Sequence, residues 1–190
     1  ESKVLSESKL SCRAIFVDSD KVWMGMDKGR YGFYDKKKDS LHIHTIQSVN
    51  SATEFRSIAA TKEAVFILSV GNPAKLIKID KNSLPETIVY TEENEKVFYD
   101  SMQFVDDLNG FAMGDPTENC LSFIKTTDGG KSWKKIPCEN LPKVYEGEAA
   151  FATSNTNLIV KGKSVFMVSG GKKSRIFDWL AKGKGGWGKL

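Results

Sequence analysis

Residues 102–136 read MQFVDDLNGFAMGDPTENCLSFIKTTDGGKSWKKI, and the fold follows from how this stretch is divided. Apolar runs at 102–105, 110–113, 121–125 and 133–136 alternate with turn formers: Asp106, Asp107 and Asn109, then Asp115-Pro116, then Asp128-Gly129-Gly130. Short runs rich in aromatic and β-branched residues, bounded by Gly, Pro, Asp and Asn, are the signature of strands joined by tight turns. Neither here nor elsewhere does a 3.6-residue apolar period persist long enough for a helix.

The same unit recurs along the chain. Trp23, Phe66, Phe111 and Phe166 stand 43, 45 and 55 residues apart, each inside a short apolar run. Each follows a lead-in about eight residues earlier (14–17, 57–60, 102–105, 157–161) and precedes a third run (31–34, 76–79, 121–125, 174–177). A fourth run closes the first three units at 41–46, 87–90 and 133–136. Four short strands every 40–50 residues is the pattern of a β-propeller blade. We therefore expect an all-β propeller of four-stranded antiparallel blades at about 10–50, 51–97, 98–142 and 143–190. An extension at 1–9 precedes them, and an irregular basic tail at 178–190 ends the chain.

The turn at 126–133, Thr126-Thr127-Asp128-Gly129-Gly130-Lys131-Ser132-Trp133, fits the Asp-box pattern Ser/Thr-x-Asp-x-Gly-x-x-Trp. An aspartate there accepts hydrogen bonds from the backbone of its own turn, and the glycines supply positive φ. Thr126, Asp128, Gly130 and Trp133 are read as a structural staple of the blade, with Asp35 and Asp80 as worn counterparts in the first two units. With its repeats, the box resembles the Asp-box (BNR) propellers: sialidases, some large glycoside hydrolases, sortilin-type receptors and the photosystem II assembly-factor family. The chain is most similar to the last group and its exported bacterial relatives, which are often labelled oxidoreductases. The carrying segments are 98–102, 113–116, the box, 146–152, and Ser169-Gly170-Gly171 before Arg175-Ile176-Phe177. The resemblance implies closed rings of about seven blades. Because an open arc exposes its flanks and edges, a chain of four is expected first to be part of a larger ring, the alternatives being closure as a small ring or pairing with another copy.

The charge does not point to nucleic acid. The net charge is +4, but residues 172–190 carry six basic side chains against Asp178 alone, which leaves the rest of the chain at −1. Arginine, the fork that reads phosphates and base edges, occurs only at positions 13, 30, 56 and 175. No apolar run reaches the roughly 18 residues of a membrane span, so no transmembrane segment is expected. The chain starts at Glu1, and we expect an exported protein whose signal peptide has been removed.

Cys120 and Cys138 flank a hairpin centred on Gly129-Gly130, where cross-strand position sums run near 259. Theirs is 258, so they are expected as cross-strand neighbours within disulfide reach. Such a bridge implies an oxidising compartment. Cys12 is expected to be a buried strand residue. His42 and His44 alternate on one strand without partners at ligand spacing, so neither a metal nor any other cofactor is expected.

In a propeller, the loops leading into each inner strand and those joining second to third strands form the ligand face. The first kind carries Arg13, Arg56, Tyr99-Asp100-Ser101 and Asn155-Thr156; the second carries Asp27, Asn72 and Asp115. A long insertion before the fourth unit, 139–154, adds Tyr145, Glu146 and Glu148. Arg13, Arg56, Tyr99, Asp100, Asp115, Tyr145, Glu146 and Glu148 are thus the candidate ligand-binding residues. The reading is a non-catalytic module for a protein or glycan, with a role in cell-envelope assembly as the expectation. The alternative is a carbohydrate-active hydrolase using Asp100 and Glu148, whose separation would set the stereochemistry. Four arginines make a sialidase's carboxylate-binding triad improbable, no Gly-x-Gly-x-x-Gly opens a helix, and no nucleophile elbow is present.

Overall fold

The structure is a computed structural model that describes residues 4, 9–151, 155–162, 164–180 and 187–188. It is a β-propeller arc of four antiparallel four-stranded blades. The first blade is β1 (Cys12–Val17), β2 (Lys21–Met26), β3 (Arg30–Asp35) and β4 (Ser40–Thr45), and the second is β5 (Phe55–Ala60), β6 (Ala64–Ser69), β7 (Ala74–Asp80) and β8 (Glu86–Glu92). The third is β9 (Tyr99–Phe104), β10 (Gly110–Gly114), β11 (Ser122–Thr126) and β12 (Lys134–Lys135). A two-residue strand, β13 (Glu148–Ala149), precedes the fourth blade and pairs with β16 (Gly170–Gly171). The fourth blade is β14 (Leu158–Lys161), β15 (Ser164–Val168), β17 (Ile176–Leu180) and β18 (Trp187–Gly188). One finding corrects the expected tail. Residues 178–180 continue β17, and Trp187 pairs with Trp179, so the fourth blade takes up positions assigned to irregular chain.

The blades stack in one direction. Because side chains alternate across a strand, each sheet has two faces, and the repeat aromatic lies on the face toward the next blade. Trp23, Tyr31 and Phe33 of the first blade pack with Ile58, Val65, Ile67, Ile77 and Ile79 of the second. Phe66, Leu68 and Leu76 of the second meet Met102, Ala112 and Ile124 of the third. Phe111, Met113 and Phe123 of the third meet Leu158, Val165, Met167, Phe177 and Trp179 of the fourth. The inner strands β1, β5, β9 and β14 run side by side in that order, and among the described residues no extended contact joins β14 back to β1.

The bottom turns share one device. Asp128 accepts hydrogen bonds from the Ser132 backbone N–H (3.0 Å), the Ser132 hydroxyl (2.6 Å) and the Thr126 hydroxyl (2.7 Å). Burial works against its charge, but these donors outweigh it and hold the carboxyl near a pKa of about 2. Asp35 accepts from the N–H groups of Lys37 and Lys38, and Asp80 from those of Asn82 and Ser83, in the equivalent turns of the first two blades. Trp133 lies just before β12 rather than within it. Its ring is buried edge-on to Phe104 and Phe66, at centroid distances of 5.7 and 6.3 Å. Cys120 and Cys138 are bridged, with Cα atoms 5.5 Å apart. The hairpin between them has the expected register, Ile124 opposite Lys135 and Lys125 opposite Lys134. Cys12 departs from expectation: it is exposed.

At Gly130, with φ of +73°, an added Cβ would lie 2.3 Å from the Phe66 ring. Gly130→Ala is expected to lower stability in urea unfolding by roughly 2–4 kcal/mol, combining the left-handed backbone with the overlap. Replacing both Cys120 and Cys138 by serine is expected to cost about 3 kcal/mol in the same measurement, the chain-entropy value for a loop of this length.

Candidate functional site

Three inner strands start with the same irregularity. The pairing skips Arg13 between Cys12 and Ala14, Arg56 between Phe55 and Ser57, and Asp100 between Tyr99 and Ser101. Each skipped residue is the extra residue of a β-bulge, a device that re-aims a side chain and recurs beside functional sites. All three precede by three positions the partner of the repeat aromatic; in the fourth blade that offset falls on Thr156. The bulges thus carry one ionisable position from each of the first three blades to the same end of the axis.

Glu54 links the first two. Arg13 Nε is 3.5 Å from one of its carboxylate oxygens and Arg56 Nη2 is 3.0 Å from the other. The Arg56 guanidinium also lies over the Phe98 ring, 5.7 Å from its centroid. Asp100 is different. It is 1% exposed, and among the described residues neither carboxylate oxygen has a hydrogen-bond partner. The hydroxyls of Ser57 and Ser101, next along their strands, are also buried and unpartnered, as is Arg56 Nε. Burial is the main force raising the Asp100 pKa to about 8; the charge of Asp115 adds to it and Arg56 opposes it. Asp115 accepts a hydrogen bond from the Ala150 N–H at 2.8 Å. The result is an ordered row at the channel mouth: Arg13, Glu54, Arg56, Asp100, Asp115.

Other candidates fall elsewhere. Tyr99 is not on the channel. The bulge at Asp100 shifts the alternation by one, so Tyr99 joins Met102 in the core between the second and third blades. Its hydroxyl donates to Glu92 (2.7 Å), which also accepts from Tyr90 and pairs with Lys135. Glu148 is no partner of Asp100. It is buried beneath Arg175, whose Nε and Nη2 donate to its two oxygens at 2.8 and 2.9 Å, and it also accepts from Ser169 and the Tyr145 N–H. Burial disfavours its charge, but these donors more than compensate and its pKa is lowered. The proposed pair of catalytic carboxylates is therefore corrected: Glu148 anchors the insertion to the fourth blade. Tyr145 is an exposed ring with Lys173 Nζ 3.5 Å from its centroid, and Glu146 pairs with Lys172 on the surface at 3.1 Å. Asp27 caps Arg30 at 2.6 Å.

Asn155 closes the axis below the row. Its Oδ1 accepts from the Met102 N–H (2.9 Å), and its Nδ2 donates to the carbonyls of Ile58 (3.2 Å) and Met102 (3.3 Å). Among the described residues no group of three or more His, Cys, Asp or Glu is placed to hold a metal ion, and no helix is long and apolar enough to cross a membrane.

Comparison with solved structures agrees with the architecture. The chain superposes on the computationally designed Ika4 protein with a TM-score of 0.61 at 13% identity, covering 96% of this chain and 100% of that one. It superposes on YCF48 bound to a D1 peptide with a TM-score of 0.56 at 12% identity, over 95% of this chain and 67% of that chain. For the WD40 domain of Toxoplasma gondii coronin the TM-score is 0.59 at 12% identity, over 94% of this chain and 45% of that chain. The chain thus spans about half the length of the coronin chain and two thirds of the YCF48 chain. No protein-family model matches it, and no curated protein matches it in sequence.

The raised Asp100 pKa fixes a pH dependence. The folded state holds this proton more tightly than the unfolded chain, so the associated stability is complete below the ordinary carboxylate range near 4 and is lost as pH rises to about 8. Relative to Asp100→Asn, the parent is expected to lose stability across that window by up to about 1.4 kcal/mol per pH unit, then level off. Urea unfolding of both proteins from pH 4 to pH 9 measures this; parallel profiles would contradict it.

Proposed function

We propose that the chain is a non-catalytic binding module that takes a segment of another protein at the channel mouth, along the row from Arg13 to Asp115. The observation that carries the reading is the set of three aligned bulges, which place Arg13, Arg56 and the buried Asp100 on rigid strands at one end of the axis. Arginine over an aromatic ring beside carboxylates provides stacking, donors and acceptors for a peptide backbone and its polar side chains. YCF48, similar in fold, was solved with a peptide bound, which supports the same mode here. The disulfide supports an exported location, where an envelope assembly role would place it. The burial of Asp100 and the engagement of Glu148 by Arg175 favour binding of peptide over glycan hydrolysis.

Peptides selected from a random displayed library against the protein are expected to lose roughly tenfold or more in affinity for Arg56→Ala and Asp115→Ala. They should bind Lys37→Ala, altered on the opposite rim, as tightly as the parent. Absence of any selected peptide, or equal loss in all three variants, would refute the assignment. Turnover of aryl glycosides that Asp100→Asn abolishes would replace binding with hydrolysis.

A further inference from the structure

The two ends of the arc carry unpaired blade-stacking faces. On the first blade, the face turned away from the second contains Ile15, Val17, Val22, Met24, Leu41 and Ile43. By register these include the counterparts of the second blade's Ile58, Ala60, Val65 and Ile67. In the second blade Ile58 is 2% exposed, and Val65 and Ile67 are fully buried against the first. In the first blade Ile15 is 63% exposed, Val17 61% and Ile43 41%. The same comparison explains Cys12: its counterparts Phe55 and Tyr99 are both fully buried.

The fourth blade shows the complementary defect. Its repeat aromatic, Phe166, is the one of the four that is not buried, and its neighbours on that face, Ile159, Val168 and Ile176, are 52%, 41% and 61% exposed. The corresponding residues of the second blade, Ala59, Phe66, Leu68 and Leu76, are buried under the third. A hollow of about 290 Å³ opens beside Val168, Thr156 and Phe151 on this side.

We propose that a second copy of this chain fills both faces, each copy's fourth blade stacking on the other's first, so that two arcs close one eight-bladed ring. Two observations commit the surface to that occupant. The exposed faces have the side chains and register of faces that stack on blades elsewhere in the molecule. One end lacks what the other end presents. Closure by a two-fold axis leaves no stacking face uncovered, whereas the same contact without closure would polymerise. It also completes the channel mouth, bringing two Arg13-to-Asp115 rows around one axis.

The test is sedimentation velocity with the 190-residue chain, alone and as two variants. The parent is expected at twice its 21.1 kDa mass. Val17→Lys and Ile176→Glu, both at exposed positions, should each weaken dimerisation by at least roughly tenfold, with an unchanged far-UV β spectrum. An equimolar mixture of the two variants should recover dimer, because one junction in the mixed pair joins two unaltered faces and the other joins Lys to Glu. A monomeric parent at high micromolar concentration, open oligomers longer than two, dimers insensitive to both substitutions, or variants that do not recover dimer on mixing would each overturn the proposal.

Discussion

The stacking of one blade's aromatic face on the next blade's aliphatic face is the constraint from which the rest of this structure follows. A single four-stranded sheet of this size has little stability in water. Burying a side chain such as Phe66 or Ile67 contributes roughly 1.5–3 kcal/mol, and each contact here buries several from both sides. Stability is therefore shared between neighbours, as in other repeat proteins. Trp23, Phe66 and Phe111 recur at near-constant spacing because each fills the same place at a blade junction.

Radial stacking brings the inner strands together at the axis, where their edges have no further strand to pair with. The molecule resolves this in two ways. Asn155 supplies side-chain amide groups to the backbone of β5 and β9. Farther up, bulges turn Arg13, Arg56 and Asp100 out of the regular pleat. Glu54 balances the two arginines, while Asp100 is left with neutralisation by a proton as its cheapest state. The polarity of the mouth is thus a by-product of how the strands begin.

Much of the fold was legible in the sequence because its signals are local. Alternating apolar runs broken by Gly, Asp and Pro mark the strands, and the hairpin arithmetic around Gly129-Gly130 brings Cys120 to Cys138. The site was legible only in part. Arg13, Arg56 and Asp100 could be placed at the mouth by their offset from the repeat aromatic, but the bulge that aims them leaves no mark in the sequence. That same unmarked residue puts Tyr99 in the core and not on the channel: one extra position reverses which face it occupies. The role of Glu148 is hidden in the sequence for a different reason. Its partner Arg175 lies 27 residues away, in the run at 174–177 that reads only as a strand. Nothing short of the β13–β16 pairing brings them together.

The position of Asn155 bears on the order in which the molecule assembles. The carbonyl of Ile58 waits 97 residues for the amide that caps it, and the backbone of Met102 waits 53. As the chain emerges from the ribosome, the first three blades can collapse on one another through contacts between sequence neighbours. Their axial edges then stay open until the start of the fourth blade arrives. Contacts of such long separation form late and slowly, and open edges are where nascent chains go astray. An arrest of synthesis before residue 155 therefore leaves a nascent arc in which the Ile58 carbonyl and the Met102 backbone still lack the amide that caps them.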